Sequence, residues 1–432
     1  MKKAIILPLF VLIGLQAFAQ APEGQMNVKY RRSSLYTLMV DSPGLPYAEE
    51  IKKNFSNSPI PDKFNDHNLD VRVLNPGEVN LETNVEQPTS RRSNAGSLLG
   101  ATAVAGDANV SVGVDDPRLN SIAKQLVAKW FNRSAKGGFN MEMIKQRGSY
   151  DASAMDVATA KASKRGLDML ADAGEELIGK TFVLINEFKY VSKEEVAKKA
   201  SGWLSVAGAL GDAVGVANAS TYTTALSAGA TVAGKGYVVK TTAHLYQLVW
   251  DEATANAFYN EYWADDKTIT PAKKKAFDDA NIFRLKYIGS DNSWADVQSS
   301  VFTSKSEEQL VERATVKAVD AVIVKLQKNH DEFKTKTPLY SGEPICAKIG
   351  MKEGVSEKSK FDVLEQQMDP ETGKTSYVVV GQVKVDTKYP IWDNRYGAEE
   401  ENPGSTVDRT YFKKVSGKDF YPGMLLVQKK GK

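Results

Sequence analysis

A chain of 432 residues with one cysteine, Cys346, has no intramolecular disulfide open to it, so whatever it folds into must be held by a packed core alone. The constraint bites because the N-terminus carries the marks of an export signal. Lys2 and Lys3 precede the apolar run from Ala4 to Leu15, and Ala17-Phe18-Ala19 supplies the small-residue pattern that a signal peptidase cuts. This predicts a signal peptide over residues 1–19 and a mature chain beginning at Gln20. A glutamine there lacks the thiol needed for lipid attachment, so a lipoprotein is not expected. No later stretch reaches ~20 uninterrupted apolar residues, so the chain should be soluble or peripherally held. An exported chain without disulfides fits a Gram-negative periplasm or outer-membrane surface.

Composition narrows the partners. Charged residues make up 25% and hydrophobic ones 42%, ordinary for a globular protein with ample core. The formal charge is +3, and two of those charges, Lys2 and Lys3, leave with the signal. Lys and Arg alternate with Asp and Glu instead of forming a concentrated basic surface, which argues against a nucleic-acid partner.

The pattern along the chain predicts three regions after the signal. Residues 20–116 contain a strand, Ser34 to Val40, a short helix, Pro46 to Phe55, a turn-rich stretch to Asn84, and a Gly/Ala/Ser-rich linker between Gln87 and Asp116. Residues 117–335 read as an α+β domain. Helices are expected over Ser121–Phe131, Asp151–Ile178, Asp251 or Thr254 to Trp263, Pro271–Ala280 and Glu307–Asn329. The last is led by Ser306 and Gln309 at capping-box spacing. Strands are expected over Thr181–Val191, apolar on both faces at Phe182–Ile185, over Tyr237–Trp250, and over Phe283–Tyr287. The arrangement expected is a small mixed sheet with helices packed on one face, interrupted by an Ala/Gly-rich insertion over 202–236. Residues 336–432 read as a small all-β domain of five short strands, Pro344–Ile349, Lys360–Gln366, Tyr377–Val385, Thr410–Val415 and Met424–Gln428, with a turn at Asp369–Gly373.

Several short motifs carry a resemblance. Gly350-Met351-Lys352-Glu353-Gly354, Lys360-Phe361-Asp362-Val363-Leu364, Val380-Gly381-Gln382-Val383-Lys384-Val385 and Pro422-Gly423-Met424-Leu425-Leu426-Val427 resemble the small SH3-like barrel of bacterial envelope assembly proteins. The helix and strand of Ala171–Tyr190 look like the α/β module of the curli secretion channel family and of flagellar assembly proteins. The resemblance implies an interaction role at the envelope and carries over no catalytic residue. The chain departs from it in the missing lipoprotein cysteine, in the acidic insert Glu399–Glu401 and in lacking evident channel-forming strands.

Chemistry-bearing groups are sparse. His67, His244 and His330 are scattered, and His330 falls where a helix C-terminus favours a cation. Asp62, Asp66, His67 and Asp70 lack the EF-hand spacing and read as a solvated loop. Cys346 lies inside a predicted strand and reads as a buried thiol. The glycines at 208, 211 and 215 lack the lysine and the preceding strand of a phosphate-binding loop. Tyr246, Trp250, Tyr259, Tyr262 and Trp263 could form a sugar-stacking platform or simply pack a core. No catalytic, cofactor-binding or metal-binding residue is therefore expected, and no cofactor.

The function these features point to is a non-enzymatic scaffold or assembly component at the periplasm or outer membrane. It would work through protein partners in the envelope, through self-association into an oligomer and through peripheral membrane contact, using exposed strand edges and the Ala/Gly-rich segment. The alternative is an exported hydrolase or carbohydrate-binding protein with its site between domains.

Overall fold

Thr181–Ser192 holds the centre of the structure because Phe182–Ile185 are apolar on both sides, so both faces must be covered there. The computed structural model describes residues 32–45, 47–81, 115–151, 174–192, 236–298, 306–369, 371 and 374–429. Within them, β1 (Ser34–Val40), β2 (Asn65–Asp66), β3 (Val73–Leu74), β4 (Thr181–Ser192), β5 (Gly236–Leu248) and β6 (Leu285–Gln298) form one sheet. Its order is β2-β1-β4-β5-β6, with β3 also beside β1. The sheet is mixed. β1 runs parallel to β2, β3 and β4, with Ser34 opposite Thr181 and Met39 opposite Asn186, whereas β4, β5 and β6 are antiparallel.

Helices cover both faces, not the single face expected. On one side α2 (Pro117–Trp130) buries Leu119, Ile122, Ala123, Leu126, Val127 and Trp130, a stripe at helical spacing, against Tyr36, Leu38, Val183, Ile185 and Tyr246. On the other, α6 (Glu307–Asn329) packs Val322, Ile323 and Leu326 on Leu35, Phe182, Leu184 and Leu245, and its first half joins α1 (Ala48–Asn57) over Met39, Phe188 and Val239. The cause is the period-2 alternation of a strand apolar in both phases: Phe182, Leu184, Phe188 and Tyr190 face α6, and the odd-numbered Val183 and Ile185 face α2. One helix alone would leave half of that surface wet.

Caps set the helix starts. Asp116 accepts from the amides of Arg118 and Leu119 at 2.8 and 3.0 Å, with Pro117 in the first turn of α2. Ser306 and Gln309 form the expected capping box of α6, at 3.3 and 3.0 Å. The remaining helices are α3 (Glu142–Asp151), α4 (Glu252–Ala257), which runs into a π-turn at Phe258–Tyr262, α5 (Pro271–Asp279) and the one-turn α7 (Ala398–Glu401). α3 was not expected, and most of the helix predicted over Asp151–Ile178 lies outside the described residues. β6 extends well beyond the predicted Tyr287. The run Gly289–Ser293 looks like a turn in isolation, but β5 supplies it with a hydrogen-bonding partner along its whole length.

The C-terminal strands form a second unit. β7 (Thr337–Gly342), β8 (Ile345–Ala347), β9 (Lys360–Met368), β10 (Thr375–Val385), β11 (Thr410–Gly417) and β12 (Leu425–Gln428) close into a ring of order β10-β11-β8-β7-β12-β9. Leu339, Phe361, Val363, Val383, Phe412, Met424 and Leu426 fill its interior. The five predicted strands are present and β7 is a sixth, masked in the sequence by Pro338 within it. The architecture is therefore α+β, a helix-covered mixed sheet followed by a closed ring of strands.

The ring sits on α6. Arg313 pairs with Glu400 at 2.7 Å and with Glu401 at 3.1 Å, Lys317 reaches Glu401 at 3.1 Å, and the Tyr396 hydroxyl donates to Glu312 at 2.8 Å. The acidic insert noted in the sequence is thus the ring's clasp on the helix.

Candidate functional site

The ring carries an open groove of about 640 Å³. One wall is the β7–β8 turn, Gly342 to Ile345; the other is formed by Asp386, Tyr389 and the β11 residues Tyr411 to Lys414, with Asp419 and Phe420 at the end. Gly342 is required where it stands, since a Cβ there would lie 1.8 Å from the Phe420 carbonyl oxygen. Removing that side chain lets the turn press against Phe420 and shapes the groove floor.

Two features give the groove its chemistry. Tyr389, 48% exposed, lies against Tyr411 with ring centroids 4.5 Å apart, a preassembled aromatic surface open to solvent. Each carboxylate along the lower wall meets a lysine: Asp386 with Lys413 at 4.0 Å and Asp419 with Lys414 at 3.1 Å, the latter ammonium also lying 5.3 Å from the Phe420 ring centre. Aromatic faces with charges of both signs suit recognition of a partner surface. The groove holds no histidine, cysteine or serine to act as a nucleophile with a base beside it.

The predicted residues fall elsewhere. His67 is fully buried against Trp130, its pKa held well below the usual value by burial and by Arg147. His244 bonds Glu187 across neighbouring strands at 2.9 Å. His330 caps the C-terminus of α6 and fills the space above Gly289. Cys346 is buried in β8, and burial pushes its thiol pKa up, away from a reactive thiolate. Asp62, Asp66, His67 and Asp70 separate: Asp62 turns to the ring junction and His67 to the α2 core. Among the described residues no three His, Cys, Asp or Glu side chains come together in a metal-binding arrangement.

The aromatic set packs a core. Tyr246 and Tyr262 are buried, and Trp250, Tyr259 and Trp263 pack around Phe131, whose ring stacks on Phe258 at 4.4 Å. Residues 202–235 of the Ala/Gly-rich segment lie outside the described residues. Tyr389 and Tyr411 were not singled out in the sequence. No protein-family model matches the chain, and no curated protein is recognisably similar to it in sequence.

Proposed function

We propose that this protein is an exported, non-enzymatic scaffold or assembly component of a Gram-negative cell envelope, with the six-strand ring, read as a small SH3-like barrel, as its recognition module. The observation that carries the reading is the groove: Tyr389 is exposed beside Tyr411, and two of its three carboxylates, Asp386 and Asp419, lie beside lysines. The helix-covered sheet would serve as the rigid body that presents the ring, fixed to it by Arg313 and Lys317. Partners would be extended protein segments in the envelope or further copies of the chain.

The test is site-specific photo-crosslinking through position 389 in cells, combined with fractionation and mass determination of the mature N-terminus. The expected result is a chain starting at Gln20 in the periplasmic or outer-membrane fraction, with discrete adducts that disappear in Tyr411→Ala. Recovery of an uncleaved chain in the cytoplasm, or absence of adducts at 389, would overturn the reading.

A further inference from the structure

The junction between α6 and the ring brings together five ionisable side chains contributed by three segments. Asp320 comes from α6, Lys352 and Glu353 from the ring's turn at Met351–Glu353, and Asp62 and Lys63 from the loop between α1 and β2. They line a cavity of about 30 Å³, room for roughly one water molecule. Three carboxylates and two ammonium groups line it.

Asp62 is exposed to water, so the cost of burial falls on Glu353 and Asp320. Glu353 is fully engaged: Oε1 meets Lys63 at 3.2 Å, and Oε2 accepts from the Gly350 amide at 2.8 Å and from Asn394 Nδ2 at 2.9 Å. Asp320 has the looser contact, 3.7 Å to Lys352, with its side chain only 17% exposed. A carboxylate enclosed in this way, with one distant cation and two other carboxylates around it, is less costly to bury neutral than charged. We propose that the junction is an acid-strengthened latch: Asp320, closed in by the ring's turn and the Asp62–Lys63 loop, holds the ring on α6 more tightly when its carboxyl is protonated than when it is charged.

The direction of the carboxyl's titration agrees. Burial pushes Asp320 up to about 6, with Lys352 opposing and Glu353 and Asp62 adding to the rise. An undocked ring would return Asp320 to water and to its ordinary value of 3.8. Docking therefore takes up a proton in the window between those values and weakens as pH rises through 6. Lys328, on the same helix, places its ammonium beside Gly354. The device is independent of what the groove binds.

Native-state hydrogen exchange of the full-length protein, read at amides 350–354, tests the proposal. Protection there should rise about tenfold between pH 7.5 and pH 5 after correction for intrinsic exchange. Asp320→Asn should give the acid level of protection at both pH values. Lys352→Gln, which removes the cation opposing burial, should move the step to higher pH, a displacement that a purely packing role for the turn would not produce. Unchanged protection across this range in the parent protein, or a step that persists in Asp320→Asn, would overturn it.

Discussion

Arg147 Nη1 lies 3.0 Å from His67 Nδ1, and because a guanidinium can only donate, this contact fixes the imidazole. Nδ1 must accept, so the ring proton sits on Nε2 and is donated to the Leu126 carbonyl at 3.2 Å. The same guanidinium donates to Ser34 Oγ at 2.8 Å and covers the Trp130 ring at 4.3 Å, tying α3 to β1 and α2.

A neutral, buried histidine makes the fold sensitive to acid. His67 has its folded pKa well below 6.5, so the unfolded chain takes up a proton that the folded chain does not. Its stabilisation is present above 6.5 and is lost as pH falls, with a slope of up to about 1.4 kcal/mol per pH unit. Asp320 acts with the opposite sign over an overlapping window, so the two partly cancel in the parent protein. His67→Gln, whose amide can accept from Arg147 and donate to Leu126, should flatten the acid limb of a denaturant-derived stability profile. An unchanged limb would assign the acid loss to other groups.

Trp130→Phe should destabilise the protein by about 1–3 kcal/mol. The indole Nε1–H donates to Thr181 Oγ1 at 2.7 Å in a region closed to water, and phenylalanine, a smaller ring, leaves that hydroxyl without its donor and a small void beside it. Chemical denaturation monitored by circular dichroism measures the loss; equal midpoints would show that the bond contributes nothing net.

Thr241→Val should stabilise it by about 1 kcal/mol. Thr241 is fully buried beneath α6 and its hydroxyl meets no hydrogen-bonding partner, while valine has nearly the same shape. A lower melting temperature in the variant would mean that the hydroxyl is satisfied in solution.

Arg313→Ala should loosen the ring's clasp with only a modest effect on global stability, about 1 kcal/mol given how exposed Glu400 and Glu401 are. The sensitive reading is limited proteolysis, in which the stretch 386–409 should be cut faster in the variant. Glu399→Ala, in the same short helix, should leave the cutting rate unchanged.

The sequence disclosed most of the elements because their signals are local. The Ser306–Gln309 capping box and the double-faced apolar run at Phe182–Ile185 each act within a few residues, whereas α2 begins at Pro117, ahead of the expected Ser121. What stayed hidden depends on neighbours remote in sequence. β6 through Gly289–Ser293 exists because β5 lies beside it, and the second helical layer follows from which residues α6 meets across the sheet. The groove and the latch were hidden for the same reason. Asp320 interrupts an apolar stretch, Ala318-Val319-Asp320-Ala321-Val322, a visible irregularity, but nothing local says that Lys352 and Glu353 will close over it.

The pairing of Ser34 with Thr181 also dictates an order of events as the chain is made. β1 is synthesised early yet lies inside the sheet, between β4 and the short β2 and β3, so it has no complete place to fold until β4 has followed it. Its contacts are among the most separated in sequence, and the entropy of closing that span must be overcome before the sheet gains anything from it. Ser34 therefore waits for Thr181, 147 residues further along the chain, before β1 can take its place in the sheet.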